Sequence, residues 1–308
     1  MPTVRPAPRP TVGRFAPSPT GPLHLGSLVA AVGSWLFARR DGGRWLVRLE
    51  DLDAPRVVPG AAEEILAALD RYGLRPDGEA VRQSERTALY EEAVARLRAT
   101  GLVYDCGCSR AELRRLASAP TPEEGTEPVY PGTCRDGIAP SRTPRSLRFR
   151  VPAGVVRFAD AVHGEQAQDV AREVGDFVVR RADGPFAYQL AVVVDDAAQG
   201  VTQVVRGADL LDSTARQIVL QRALGLPTPE HAHLPLLLGP DGAKLGKRDG
   251  ALPLPALDAS RVRDSMRLAL GILGVADCAG PTPEAMLDEA LGRFDPAAIP
   301  RAPVRLPG

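Results

Sequence analysis

Apolar positions recur along this chain in two rhythms. From Val12 a short apolar run leads into a Pro/Gly-rich turn, then a stretch with Leu28, Val32, Trp35 and Leu36 on one face at helical spacing. GRFAPSPTGPLHLGSLVAAVGSWLFARR thus predicts strand, turn and helix, and RWLVRLED, Arg44 to Asp51, predicts a second strand ending in acids. Helices are predicted over Ala61 to Tyr72 and Glu85 to Thr100, the second with Leu89, Ala93 and Leu97 at helical spacing. Strand, helix, strand, helix implies a parallel sheet with helices packed on it. The rhythm breaks at LVYDCGCSRAEL, and a Pro/Gly/Thr-rich stretch from Ala119 to Arg145 reads as an inserted module, with PTPEEGTEP a disordered excursion. SLRFRV and VVRFADAV resume the apolar runs. DFVVRRADGPFAYQLAVVVDD and VTQVVRG rejoin the sheet ahead of a helix over Ser213 to Leu224, and HLPLLLGP predicts one more buried strand. Residues 1–11, rich in Pro and Arg without periodicity, predict a disordered arm.

Composition narrows the classes. A length of 308 residues suggests roughly two domains, and 38 basic residues cancel 38 acidic ones, so a nucleic-acid surface must be local rather than global. No apolar run approaches the ~20 residues that span a bilayer, and the start MPTVRPAPRPT has no apolar signal core; a cytoplasmic chain without membrane partner is expected. Only two of the basic residues are lysines, Lys244 and Lys247, three apart in GPDGAKLGKRDG. They are either leftovers on a surface or point charges on flexible stems that follow a phosphate, a task for which the planar guanidinium is less suited. Four cysteines make no disulfide framework, and Cys106-Gly107-Cys108 is too tight for an ordinary structural bridge. Cys106, Cys108 and Cys134 are three thiols where a structural zinc site wants four ligands, so metal binding and plain reduced thiols both remain open.

The turn after the first strand holds Ser18, Thr20, Gly21, His24, Gly26 and Ser27 ahead of an apolar helix. A helix start offers unpaired N–H groups and partial positive charge, which suit a phosphate, and Gly21 and Gly26 would let a ligand approach the backbone. Neither a P-loop nor a G-x-G-x-x-G fingerprint occurs in this turn, and a lone His24 reads more often as a capping or satisfied histidine than as a ligand.

PSPTGPLHLGS resembles the HIGH signature of class I aminoacyl-tRNA synthetases, and KLGKR at 244–248 resembles their KMSKS signature. RFAPSPTG, LED at 49–51, AYQLAVVVDD and VVRGADLLDST are similar to the glutamyl branch, over roughly residues 12–250. The resemblance implies an α/β fold: a Rossmann-like doubly wound parallel sheet with an inserted zinc-containing module and a short helical C-terminal part. The implied division is 12–104 and 171–240 for the two halves of the catalytic domain, 105–170 for the insert, and 241–308 for the lysine loop and a short helical stem-contact region with no anticodon-binding domain. The implied chemistry is activation of L-glutamate by ATP with Mg²⁺, then transfer to RNA. His24, Lys244 and Lys247 would be catalytic, and His24, Gly26 and Lys247 would hold ATP. Arg14, Phe15, Ala16, Pro17, Ser18, Glu50, Tyr188 and Arg206 would hold glutamate; without the resemblance, Tyr188 reads as a half-buried aromatic and Glu50 as a strand-end acid. Tyr130, four residues before Cys134, would complete a Zn²⁺ site with Cys106, Cys108 and Cys134, one ion per chain. Gly246 and Ser27 depart from the signatures, each removing a side-chain donor.

The tail from Ala251 to Gly308, broken by LPLP, GPTP and IPRAP, is too short for the helical anticodon-binding region of full-length relatives. The resemblance then implies a monomer of the truncated kind that attaches glutamate to queuosine in the anticodon of tRNA(Asp). An idle tRNA-binding relative, or a nucleotidyltransferase acting on a small cofactor, are the competing classes.

Overall fold

A computed structural model describes residues 10–109, 111–113, 129–243, 245, 254 and 258–306. The sequence-derived expectations for the arm before residue 10, the PTPEEGTEP excursion, Lys244, Gly246 and Lys247 lie outside the described residues.

Strand β1 (Val12–Phe15) leads to helix α1 (Leu25–Arg40), and β2 (Arg44–Leu49) to α2 (Ala61–Arg71). The short β3 (Val81–Arg82) precedes α3 (Thr87–Ala99) and β4 (Val103–Cys106). After them come β5 (Ser146–Phe149), β6 (Val156–Asp160), β7 (Gly164–Gln168), the single turn α4 (Val170–Glu173) and β8 (Phe177–Arg180). Helix α5 (Tyr188–Ala198), β9 (Gln203–Gly207), α6 (Ser213–Leu224), β10 (Glu230–Leu234) and β11 (Leu237–Leu238) complete the central part. Helices α7 (Ala259–Ile272) and α8 (Pro283–Leu291) precede β12 (Val304–Arg305), which pairs with β11.

The main sheet runs β3-β2-β1-β9-β10-β6-β7, parallel throughout except for the antiparallel edge strand β7. This is the mostly parallel α/β architecture that the alternation of elements implied. Strands β4, β5 and β8 form a separate antiparallel sheet. The hairpin β6–β7, which lies within 105–170, extends the main sheet beside β10, whereas β8 pairs with β5.

Two stretches differ from their expected form. AYQLAVVVDD, read as an apolar run rejoining the sheet, is helix α5, buried at Leu190 through Asp196. A short, fully buried helix has no polar face to reveal its period, so alternation alone cannot separate it from a strand. HLPLLLGP is split at Pro235 and Leu236 into the end of β10 and the separate β11, since proline cannot donate to a ladder.

Period-two alternation divides the sheet into unlike faces. Phe15, Trp45, Val47, Leu49, Val205, Ala232 and Leu234 join α1, α2, α7 and α8 in one apolar core. Gly13 lets α1 lie close on β1, because a Cβ there would stand 2.9 Å from that of Ala38. The intervening positions include Arg14, Arg48, Arg206, His231 and His233, all buried. A parallel strand buried on both faces reads ordinarily as continuous hydrophobics; here the second face is polar in its middle and covered by α5 and α6.

Candidate active site

The polar face lies where β1, β2, β9 and β10 end. Between β1 and β9 the chain order reverses, since β2 lies on one side of β1 and the late strand β9 on the other. In open α/β sheets such a switch point leaves a crevice at the carboxyl ends of the strands, where ligands bind.

Helix α1 begins at this crevice. His24 is its N-cap in extended conformation, and its Nδ1 accepts from the Ser27 amide at 3.3 Å. Nδ1 is therefore unprotonated, and neutral His24 carries its proton on Nε2. Gly26 makes room for the ring: a Cβ there would lie 3.1 Å from His24 Cε1 and 3.2 Å from Nδ1. Gly21, at φ 134°, occupies a conformation closed to side chains.

Arg14, Arg48 and Arg86 face Glu50, Asp195 and Asp196 in a buried network. Arg48 reaches Asp196 Oδ1 at 2.7 Å, Gln199 Oε1 at 2.8 Å and Glu50 Oε1 at 3.3 Å. Its Nε lies 3.8 Å from Asp195, an ion-pair distance without a hydrogen bond. Arg14 donates from Nε to Asp196 at 3.3 Å and from Nη1 to the Val205 carbonyl at 3.3 Å. Asp195 also accepts from Gln83 at 2.8 Å, Tyr90 at 2.7 Å and Arg86. Burial opposes the charge on Arg48, but Asp196, Glu50 and Asp195 outweigh it and raise its pKa. Burial likewise pushes Asp196 up, yet Arg14 and Arg48 hold it below the ordinary carboxylate value. For Glu50 burial prevails over Arg48 and Arg14, so its pKa is raised.

Arg206 is different. It is 6% exposed, yet it forms no ion pair with an acid among the described residues. Its guanidinium spends five hydrogen bonds on neutral partners: His233 Nε2 at 3.0 Å, Tyr188 Oη at 3.3 Å, Gln217 Oε1 at 2.9 Å, the Leu210 carbonyl at 3.1 Å and Thr214 Oγ1 at 2.9 Å. Burial lowers its pKa from the ordinary arginine value. His233 Nδ1 meets Asp160 Oδ2 at 2.6 Å, and Asp160 Oδ1 accepts from the amides of Val162 at 3.0 Å and His163 at 2.9 Å. Burial pushes Asp160 up, but His233 and these amides bring it down to about 2.

The fold thus gathers Arg14, Glu50, Tyr188 and Arg206 within one another's fields, with Pro17 joined to Glu50 by an amide–carbonyl bond of 2.9 Å. Phe15 turns its ring into the core against Trp45, at 6.5 Å between centroids, which leaves its main chain for any contact. Ala16 is half-buried and Ser18 exposed in the same loop. Sequence reasoning passed over Arg48, Asp160, Asp195, Asp196, Thr214, Gln217 and His233. The available signal was an arginine inside an apolar strand in RWLVRLE, as in GRF and VVRG, together with the paired acids of VVVDD.

A second cluster lies beside the antiparallel sheet, within residues 105–170. The sulfurs of Cys106, Cys108 and Cys134 are all within 4.8 Å of one another, buried, and could hold a metal ion. Cys108 and Cys134 are 3.7 Å apart, while Tyr130 Oη lies 3.4 Å from Cys106 Sγ, 3.9 Å from Cys108 Sγ and accepts the Cys134 amide at 2.9 Å. The guanidinium of Arg148 stacks 3.8 Å from the Tyr130 ring centroid.

Residues 11–273 match the family model of class I tRNA synthetases (E and Q), catalytic domain. The chain is 58% identical over 298 residues to a glutamyl-Q tRNA(Asp) synthetase of Geobacter sulfurreducens, covering 95% of each protein. It is 52% identical over 293 residues to the protein of that name from Thiobacillus denitrificans, covering 95% of this chain and 96% of that one. Its fold is similar to a glutamate tRNA ligase from Elizabethkingia meningosepticum solved in complex with its amino acid: TM-score 0.76 at 30% identity, covering 96% of this chain and 66% of the ligase.

Proposed function

Since this chain belongs to the glutamate and glutamine branch of the class I tRNA synthetases, we propose that it activates glutamate with ATP and transfers it to queuosine in the anticodon of tRNA(Asp). The observation that carries the reading is Arg206, a buried guanidinium that forms no ion pair with an acid among the described residues, because a buried charge is tolerated when a counter-charge arrives to pair it. A substrate carboxylate supplies one. Arg14, whose carboxylate partner Asp196 is shared with Arg48, offers a second cationic contact, and Glu50 receives the substrate ammonium. Tyr188 and Ser18 add hydrogen bonds, and the main chain of Phe15, Ala16 and Pro17 walls the pocket. Arginine forks suit carboxylates because two parallel N–H bonds match two oxygens.

In the first step an α-carboxylate oxygen of glutamate attacks the α-phosphorus of ATP, the bond to the bridging oxygen breaks, and pyrophosphate leaves. In the second, an oxygen of the modified base attacks the activated carbonyl and AMP leaves. Negative charge grows on phosphate oxygens throughout, so catalysis is placement and charge stabilisation. His24, donating from Nε2, and the amides at Gly26 and the start of α1 act from one side. Lys244 and Lys247 act from the other, and Mg²⁺ accompanies the triphosphate.

The insert fits one zinc ion. A zinc–sulfur length of about 2.3 Å implies sulfur separations near 3.8 Å in a tetrahedron, which the Cys108–Cys134 distance of 3.7 Å approaches. Cys106, Cys108, Cys134 and Tyr130 would hold it, and its contribution is a structural cross-link rather than chemistry.

Glutamate-dependent exchange of labelled pyrophosphate into ATP, measured without tRNA, tests the first step. Labelled glutamate recovered on the queuosine nucleotide after nuclease digestion tests the second. Exchange that ignores glutamate, or label on the terminal adenosine instead, contradicts the reading.

A further inference from the structure

Every donor on Arg206 is occupied, and among the described residues its path to an acid runs through His233, which it meets directly and by way of Thr214 Oγ1, 3.3 Å from His233 Nε2. Three adjacent strands build the connection: Asp160 closes β6, His233 lies on β10 with its neighbour His231 opposite Asp160, and Arg206 lies on β9 directly opposite His233. Asp160 is ionised and fixed by the Val162 and His163 amides on Oδ1, which turns Oδ2 to His233 Nδ1. An anionic oxygen 2.6 Å away requires the proton on Nδ1. Nε2 is then a bare acceptor, and it receives the Arg206 Nε–H at 3.0 Å.

We infer that Asp160 and His233 form a positioning relay for the substrate-binding Arg206, orienting its guanidinium plane through a neutral acceptor while leaving its charge for the substrate carboxylate. The inference rests on the glutamate-pocket reading above. The physical advantage is specific. An aspartate placed directly on Arg206 would orient it equally well but would compete with the substrate as counter-ion, whereas a neutral imidazole bears no charge to compete. The carboxylate, one ring further away, fixes the tautomer and strengthens the acceptor, as an outer partner does for a ligating histidine. Tyr188 holds the longest of the five bonds, 3.3 Å from Nη1, and is the contact that an arriving carboxylate shares. Thr214 Oγ1 and Gln217 Oε1 close the remaining sides at 2.9 Å each.

The test uses His233→Leu, His233→Gln and Asp160→Asn in the full chain. Glutamate affinity is read by calorimetry, the ATP KM by pyrophosphate exchange, and the His233 tautomer by ¹⁵N spectroscopy. A glutamine amide oxygen can stand near the place of Nε2, so His233→Gln restores the acceptor that His233→Leu removes. Expected are an Nδ1-protonated His233 in the wild type, a glutamate Kd weakened roughly tenfold or more in His233→Leu, substantial recovery in His233→Gln and little change in the ATP KM. In Asp160→Asn the amide nitrogen can face Nδ1, moving the proton to Nε2 and opposing two donors, so the tautomer shifts and glutamate binding weakens. Equal losses for both substrates, no difference between the leucine and glutamine variants, or a wild-type proton on Nε2 each overturn the relay. A wild-type protein that binds no glutamate overturns the pocket reading instead, and the tautomer in wild type and Asp160→Asn then decides the relay alone.

Discussion

His231 shows how one buried side chain makes the pocket sensitive to acid. It stacks parallel to His233 at 6.3 Å between ring centroids, and its Nε2 is buried without a hydrogen-bond partner. Burial, helped by the charge on Arg206, brings its pKa down to about 3 from 6.5. The folded state therefore refuses a proton that the unfolded chain accepts below about pH 6.5. The stability this residue contributes is full above that value and lost as pH falls toward its folded pKa, by about 2 kcal/mol at pH 5. The melting temperature should drop between pH 7.5 and 5, and His231→Leu should flatten that response; an unchanged slope in the variant assigns the sensitivity elsewhere. In the proposed reaction Lys247 meets charge of another kind, that which develops as pyrophosphate departs. Lys247→Ala should lower pyrophosphate exchange by roughly 10²–10³-fold while glutamate binding is kept, and parallel losses in both would remove it from the phosphate side.

In the proposed reaction the start of α1 is the element that meets the phosphates, and its geometry needs a small residue at one place. With Ala at position 26 the added Cβ would press on His24 at 3.1 Å, while helix propensity by itself would favour Ala over Gly by about 1 kcal/mol. Gly26→Ala should thus leave the melting temperature unchanged or higher and still raise the KM for ATP; a variant with both stability and ATP kinetics intact would show that the ring is free to move. This element was legible in the sequence because strand, turn and helix succeed one another within residues 12–40 and each carries its own local signal. The pocket on the opposite side was legible only by family likeness. Arg14 and Arg206 are 192 positions apart (206 − 14), and nothing local in either strand says that both project from one sheet face. Asp160 and His233 escaped notice altogether, since their pairing depends on β6 lying beside β10, a strand order that periodicity does not encode. Helix α5 was obscured for a different reason: Val192, Val193 and Val194 favour a strand by propensity, and tertiary burial overrides them.

At the scale of the whole molecule the proposed amino-acid pocket and the cysteine cluster belong to different parts of the fold. Arg14, Glu50 and Arg206 belong to the main sheet and its strand ends, while the cysteines belong to a small cluster of their own with Tyr104, Leu113, Tyr130 and Ile138 beside it. The cysteine cluster is tied to the antiparallel sheet at Asp176, just before β8, whose carboxylate accepts from Tyr104 at 2.7 Å and the Val151 amide at 2.8 Å while pairing with Arg135 at 3.2 Å. The Tyr130 to Gly175 bridge fastens the cysteine region to the same point. Loss of the proposed zinc should therefore loosen the cysteine region first and leave the proposed glutamate pocket standing. The purified protein should contain about one zinc per chain, and its removal by a chelator should expose residues 129–145 to proteolysis. Under the same treatment glutamate-dependent pyrophosphate exchange should persist while transfer to tRNA(Asp) falls. Cys106→Ser should reproduce both effects without a chelator. Exchange and transfer lost together would mean that the cysteine cluster supports the main sheet as well, through β6 and Asp160, and that the insert and the amino-acid pocket form one cooperative unit.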